Sequence, residues 1–285
     1  MAQEAALFSQ LKDRSGYLSR NQRVLAKYIL DHYQTAAFCT VKQLAEQSGV
    51  SEATIVRFAK ELNFKGYPAL QQEIRRIVRA DLKGTERFQL TSANKDADRG
   101  PLAPIIAKEL ENITGLQETL DRKAFRRAVS ALHKASEVLI AGTRSAAPLA
   151  RHLWFGLDKL GVAASRFLSI TTEAYDRLNR LDRRACVVVI GFPRYLQELV
   201  DFLQCAKRKG LRTLTITDSP FSPLRGDINL YSPAQSASFI AFHCAPLILT
   251  NGLLHELSLL DKARTLRALN RFEALAESES YFCRS

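Results

Sequence analysis

Between residues 40 and 65 the sequence sets short hydroxylated and cationic side chains at intervals suited to reading a nucleic acid: Thr40, Ser51, Glu52, Thr54, Arg57, Lys60 and Lys65. Hydroxyls at a helix start can hold phosphate together with the backbone N–H groups beside them. Longer polar and cationic side chains further along the same helix can reach base edges and phosphates in a major groove. Bond-making chemistry has much less support. The five histidines (32, 133, 152, 243 and 255) form no H-x-x-x-H or H-E-x-x-H pair, so no metal site is expected. A P-loop and a G-x-S-x-G elbow are both missing. Glu256 is a lone carboxylate on a helical stretch, and a surface position suits it better than the role of base in a sugar isomerisation. The expectation is a protein with no catalytic residues and no cofactor.

The elements that position the first group are legible in the same stretch. Residues 17–33 place Leu18, Val24, Leu25, Tyr28 and Ile29 on one face at helical spacing. Thr40 then caps a short helix, VKQLAEQSG, which Gly49 ends in a left-handed conformation. Ser51 caps a second helix, SEATIVRFAKELNF. Two short helices across an S-G-V turn make a helix-turn-helix. The inward set is Leu44, Ala45, Val50, Ile55 and Phe58; the outward set is Ser51, Glu52, Thr54, Arg57 and Lys60. The competing reading is an ordinary helical hairpin on a bundle. A turn bearing Lys65 follows, then a basic helix over Leu70–Leu82 that could flank DNA or dimerise.

Charge supports this placement without proving it. The chain has 285 residues with 41 basic and 29 acidic side chains, a formal charge of +12. Residues 1–84 hold 13 basic against 8 acidic residues, a net of +5, the highest density along the chain. By itself such a run would describe a solvated face. The N-terminus lacks the basic and apolar regions of a signal peptide, and Phe239 to Leu254 is short and interrupted for a membrane span. Five widely spaced cysteines without a C-x-x-C pair suit reduced thiols. A cytoplasmic protein with no membrane partner is expected.

Residues 83–104, rich in Gly, Pro and small polar residues, suit a linker between residues 1–82 and 105–285. Two helical patterns follow. The first carries an apolar stripe of Ile106, Leu110, Ile113, Leu116, Thr119 and Leu120. The second is capped by Asp121 and carries Arg122, Lys123, Arg126 and Arg127, which suit a solvated face better than a second DNA contact. From residue 137 short apolar runs alternate with helical stretches: EVLIAG, VAASRF, ACVVVIGF, TLTITD and DINLY, with helices over 146–160 and 195–209 and from about Ser238 and Asp261. This rhythm predicts an α/β fold, a parallel sheet of about five strands with helices on both faces. Such sheets bind ligands beyond the carboxyl ends of their strands, which directs attention to loops 142–146, 191–196 and 217–223.

Taken together, VKQLAEQSGVSEATIVRFAKELNFKGYPAL at 41–70, VLIAGTRSAAPLARHLWFGLDKLG at 138–161, ACVVVIGFPRYLQELVDFLQCAKRKG at 185–210 and TLTITDSPFSPLRGDINL at 213–230 resemble the RpiR-type transcriptional regulators. The resemblance implies an all-α helix-turn-helix domain followed by an α-β-α sugar isomerase (SIS) domain. It also implies a DNA operator, an effector that is often a phosphosugar, and self-association as a dimer or tetramer. The alternatives are a regulator whose SIS domain only dimerises, and a sugar-phosphate isomerase with a helical appendage.

Two loops depart from the family pattern. Where SIS domains resemble G-x-G-x-S, this chain has Gly142-Thr143-Arg144-Ser145-Ala146. Where they resemble S-x-S-G-x-T, it has Gly191-Phe192-Pro193-Arg194-Tyr195-Leu196. In the first the second glycine becomes Arg144 and the serine Ala146; the second lacks every hydroxyl of the pattern, carries Arg194, and loses a backbone donor at Pro193. A guanidinium binds carboxylate or phosphate bidentately. Thr143, Arg144, Ser145, Arg194, Tyr195, Asp218 and Ser219 are therefore the expected contacts of a small anionic metabolite. Equally, Arg144 or Arg194 could pair with an acid at a dimer interface. Asp218 suits a turn cap slightly better than a ligand contact, and His243, amid apolar residues, suits a satisfied core histidine.

Overall fold

The structure, a computed structural model, describes residues 11, 18–81, 85, 100, 102–236 and 243–283. It divides into two compact units, Met1–Ala93 and Asn94–Ser285. Most of the stretch read as a linker, Leu82 and Lys83, the side chains of Arg76 and Arg79, and Ser238 lie outside the described residues.

The first unit is helical: α1 (Arg20–Asp31), α2 (Tyr33–Ala36), α3 (Val41–Ser48), α4 (Glu52–Glu61) and α5 (Tyr67–Asp81). Local chemistry sets the boundaries. Ser19 and Gln22 form a reciprocal capping box at the start of α1, and Thr40 and Gln43 form another at α3. Gly49 ends α3 at φ 72°, a conformation in which a Cβ would meet the following carbonyl. Leu25, Ile29, Leu44, Ile55, Phe58, Leu70 and Ile74 are fully buried between these helices. Burying a side chain as large as Phe58 contributes about 1.5–3 kcal/mol.

Two side chains here face the other way from expectation. Val24 is 47% exposed, and the turn it was expected to bury is filled by Gln22 of the capping box and by Ala26. Thr54 is only 5% exposed. It occupies the third turn position after the Ser51 cap, and its hydroxyl lies 2.9 Å from Ser51 Oγ.

The second unit begins with α6 (Ala103–Thr119) and α7 (Arg122–Lys134). There follow β1 (Val138–Gly142), a short 3-10 turn at Arg144–Ala146, α8 (Ala147–Lys159), β2 (Ala164–Phe167), α9 (Thr172–Arg180), β3 (Cys186–Ile190), α10 (Gln197–Arg208), β4 (Arg212–Thr217), β5 (Ile228–Tyr231), α11 (Cys244–Leu260) and α12 (Lys262–Ser278). All strand pairs are parallel, in the order β2-β1-β3-β4-β5. β1 and β3 are buried at every residue, as a sheet covered on both faces requires. Alternate residues feed two cores. Val138, Ile140, Val188 and Ile190 join the layer of α7, α8 and α11, whereas Leu139, Ala141, Val187 and Val189 join that of α9 and α10. The helix α9 was not expected from sequence. Its inward residues are only Ala174 and Leu178, and the Glu137 carboxylate, which accepts from Arg177 and Ser165, ties it to the start of β1.

The stripe expected on α6 holds only in its second half, where Leu116 is buried and Ile113 and Leu120 pack against the core. Ile106 and Leu110 are 55% and 58% exposed, while Glu109, Asn112 and Leu116 are buried. The Asn112 amide explains this choice: it donates to the Gln235 carbonyl at 2.8 Å and accepts from the Gln235 N–H at 3.1 Å, pinning α6 to the segment after β5. A polar face that satisfies buried backbone is favoured over an apolar face with no such partners in this chain.

Candidate functional site

Two groups of residues are positioned for recognition, one in each unit. In the first, α4 is held by contacts that leave its outer face open. Tyr28 Oη donates to Gln47 Oε1 at 2.7 Å, joining α1 to α3. Tyr67 Oη donates to the Cys39 carbonyl at 2.6 Å, and Arg75 Nε donates to the Ala37 carbonyl at 2.7 Å. These bonds clamp α5 onto the segment that leads into Thr40, and burial pushes the Tyr67 phenol up to about 12. Arg75 thus fastens the fold. Thr40, Ser51, Glu52, Arg57, Lys60 and Lys65 are all exposed. Ser51 Oγ accepts from the Thr54 N–H, so its hydroxyl already serves the helix start. Thr54 is the exception in the expected set, because it is buried against Ser51.

In the second unit the chain leaves β1 toward β2 on one side and reaches β3 on the other. The order therefore reverses between β1 and β3, the crevice at which doubly wound sheets receive ligands. Gly142 pairs with Ile190 at the last rung. Gly142 has to be glycine: an added Cβ would stand 2.8 Å from Ala150 Cβ and 3.1 Å from the Ala146 carbonyl oxygen. Immediately beyond lie Thr143, Arg144 and Ser145 on one side, and Phe192, Pro193, Arg194 and Tyr195 on the other.

Arg144 and Arg194 share a peculiarity. Both stand in the left-handed region, at φ 51° and 70°, where a non-glycine residue costs about 1–2 kcal/mol. Both are exposed. Among the described residues the ion pairs are Lys108–Glu111, Arg177–Glu137, Arg184–Asp182 and Arg264–Asp261, and neither arginine belongs to one.

The remaining expected contacts are mostly engaged with one another. Tyr195 Oη donates to the Asp218 carboxylate and lies 3.1 Å from Thr217 Oγ1, which itself lies 3.3 Å from Asp218. This cluster ties the loop after β3 to the loop after β4. Asp218 receives the side-chain hydroxyls of Tyr195 and Thr217. Ser219 is buried and accepts from the Phe221 N–H at 3.2 Å, which makes it a turn residue. Ser145 is exposed at the first loop, and Glu256 is exposed on α11.

His243 departs from the satisfied core histidine expected of it. It precedes α11, and its ring lies 4.6 Å from the Phe192 ring, centroid to centroid. Both ring nitrogens are buried without a hydrogen-bond partner among the described residues, as is Thr143 Oγ1. Burial lowers the imidazole to about 4, so the ring is neutral at physiological pH. Sequence alone carried only a weak pointer, a histidine among apolar residues near a helix start. Among the described residues no group of three or more His, Cys, Asp or Glu side chains could hold a metal ion. No described helix is long and apolar enough to cross a membrane.

Comparison with known proteins bears on both groups. Residues 5–78 match the model of the helix-turn-helix domain of the rpiR family, and residues 131–255 match the SIS domain. The HTH-type transcriptional regulator YbbH of Bacillus subtilis is 28% identical over 232 residues, covering 78% of each chain. Among solved structures, the sugar isomerase domain of an RpiR transcription factor from Sphaerobacter thermophilus superposes with a TM-score of 0.58 at 24% identity, over 60% of this chain and 96% of that one. The Vibrio vulnificus NanR protein complexed with ManNAc-6P gives 0.59 at 19% identity, over 95% and 98%. These likenesses to solved structures establish the fold.

Proposed function

The chain belongs to the RpiR-type transcriptional regulators, and from that premise we propose how it works. It binds a double-stranded DNA operator sequence-specifically and regulates carbohydrate or related carbon metabolism. Its SIS domain senses a small anionic metabolite, a phosphosugar or a carboxylated sugar or acid. The observation that carries this reading is the pair of exposed arginines, Arg144 and Arg194, held in strained backbone at the ends of adjacent strands. Strained backbone beneath two exposed side chains, in loops otherwise anchored by Ala146, Phe192 and Tyr195, points to function. A relative of the same fold is complexed with a sugar phosphate, ManNAc-6P, which agrees in charge and size.

In this reading Arg144 and Arg194 grip the anionic group. Thr143 Oγ1 and neutral His243 supply hydrogen bonds to sugar hydroxyls, which would satisfy atoms that are costly to leave buried and unpaired, at about 1–3 kcal/mol each. Tyr195, Asp218 and Ser219 shape the wall. On the DNA side, α4 enters the major groove with Glu52, Arg57 and Lys60 toward the bases, while Thr40, Ser51 and Lys65 meet phosphates. Two copies occupy pseudo-palindromic half-sites. Exposed apolar side chains on helices that pack together, Ile106 and Leu110 of α6 and Leu259, Leu260, Leu266 and Leu269 of α11 and α12, support self-association as a dimer or tetramer. Effector binding then shifts the dimer between arrangements. The protein is a regulator located in the cytoplasm and performs no catalysis.

A thermal-shift screen of sugar phosphates and sugar acids tests the sensing role. A ligand at about 100 times its Kd stabilises the native state by about 2.7 kcal/mol. Silence across the panel would favour the second reading, in which the SIS domain only dimerises. Turnover of any aldose or ketose phosphate would favour an isomerase instead. Genome-wide mapping of bound sites would name the regulated pathway.

A further inference from the structure

The opposite edge of the sheet, where the strands begin, holds a cleft of 520 Å³ that the function above does not use. Arg127, Arg183, Lys207 and Arg212 line it, with Asp227 as the acid among its lining residues. None of these four cations belongs to an ion pair of the described residues. Asp227 Oδ2 accepts from the Thr213 N–H and Oγ1–H, each at 2.9 Å, and so fastens β4; with its charge counted, the lining keeps a formal excess of three positive charges. Two of the cations are held in place by main chain. Arg127 Nη2 donates to the Asp227 carbonyl at 3.1 Å, and Lys207 Nζ donates to the Arg225 carbonyl at 3.2 Å.

Folding alone does not account for this charge. Lys207 and Arg208 occupy the last turn of α10, where the helix dipole favours cations. Arg122 and Lys123, however, stand in the first turn of α7, the positive end of its dipole, where cations are unfavourable, and Arg126 and Arg127 follow in the second turn. All four are exposed. The Asp121 cap attracts Lys123 and Arg127, so the fold offsets this penalty only in part.

We infer that this edge is a second anion site, separate from the loops after β1 and β3, and that it takes linked phosphates, two or more in succession. The charge sets the class. A single phosphate carries about −1.5 to −2, less than the excess of three positive charges in the lining. A di- or triphosphate, or successive phosphates of a nucleic-acid backbone, carries enough. Arginine in three of the four positions suits phosphate oxygens through bidentate donation.

Calorimetric titration of the full chain with inorganic tripolyphosphate, and with inorganic phosphate for comparison, tests the inference. Tripolyphosphate is expected to bind the wild type more tightly than phosphate, and at least tenfold more weakly to Arg127→Gln/Arg212→Gln. In Arg144→Ala/Arg194→Ala any effector-site binding is lost while the cleft component should persist, which separates this site from the effector reading. Arg183→Gln, an exposed residue with no ion-pair partner, gives the same answer should the double variant fold poorly. A second arm measures binding to a random-sequence DNA duplex of about 60 base pairs against salt. If the nucleic-acid backbone is the occupant, the slope of log K on log[salt] becomes shallower by about 0.9 per cation removed. Loss of tripolyphosphate binding in the cleft variants supports the free ligand, and a shallower slope alone supports DNA. No tripolyphosphate binding together with an unchanged slope overturns the inference. So does tripolyphosphate binding that Arg144→Ala/Arg194→Ala abolishes and the cleft variants leave intact.

Discussion

Replacing Arg144 and Arg194 by glycine should stabilise the fold slightly while weakening anion binding, a combination that few substitutions produce. Both residues sit at positive φ, at 51° and 70°. Relief of the Cβ clash is worth about 1–2 kcal/mol per site. Against this, glycine gives the unfolded chain extra freedom worth about 0.5–1 kcal/mol. The net is about 0–1.5 kcal/mol of stabilisation per site, or a rise in Tm of a few degrees for a unit of this size. Arg144→Ala and Arg194→Ala keep the strain and remove only an exposed guanidinium, so stability should change by less than about 0.5 kcal/mol. For the ligand, loss of one charge-assisted hydrogen bond costs about 1.5–3 kcal/mol, roughly 10- to 150-fold in Kd, with either glycine or alanine. The assay pairs thermal unfolding with titration of sugar phosphates and sugar acids. Glycine variants that lose more than about 1 kcal/mol of stability would show that the arginines support the loops structurally. Unchanged affinity in all four variants would refute the anion grip.

Arg57→Ala should weaken operator binding by about 1–3 kcal/mol if Arg57 reads a base, with the loss confined to particular base pairs, or uniformly with a shallower salt slope if it meets phosphate; fluorescence anisotropy on operator variants distinguishes them. Ser51→Ala removes the cap of α4 and should cost about 1 kcal/mol in urea unfolding, whereas Ser51→Asp should keep most of it. His243 gives stability a pH dependence of defined sign. Its folded value of about 4 lies below the usual 6.5, so the unfolded chain binds the extra proton first, and stability falls as pH drops from about 6.5 to 4, by an order of 3 kcal/mol in all. His243→Asn should flatten that part of the urea-unfolding profile. Gly142→Ala should cost about 1–3 kcal/mol, read by thermal unfolding, because its Cβ would press on Ala150 and the Ala146 carbonyl.

What was legible along the chain was what is decided locally. Thr40, Gly49, Ser51 and Asp121 cap or end helices through bonds to residues two to four positions away, so their roles are readable without a partner element. Strands β1 and β3 were readable because burial on both faces demands continuous apolar runs, whereas β2, half-buried at every residue, gives a weaker pattern. Periodicity also shows that a helix has an apolar stripe, but not whether that stripe finds a partner. The Ile106 and Leu110 stripe of α6 stays outside because Asn112 finds the backbone of Gln235, which is 123 residues away. Thr54 turned inward because Ser51 met its hydroxyl, and α9 was missed because two buried residues are too few to make a pattern.

The candidate site follows the same division. That Arg144 and Arg194 replace the residues a SIS loop usually carries could be read directly from the sequence, since residue type needs no coordinates. Their adjacency across the reversal of strand order, their left-handed backbone and their absence from the ion pairs of the described residues came only from the fold. Parallel strands are joined by crossovers of a dozen residues or more, so which strand ends meet depends on packing between distant segments. The helix caps, strand runs and family motifs of this protein belong to its sequence. The crevice between β1 and β3, the His243 ring without a partner among the described residues and the basic edge beneath the sheet belong to its tertiary structure, because each is made by residues that only long-range packing brings together.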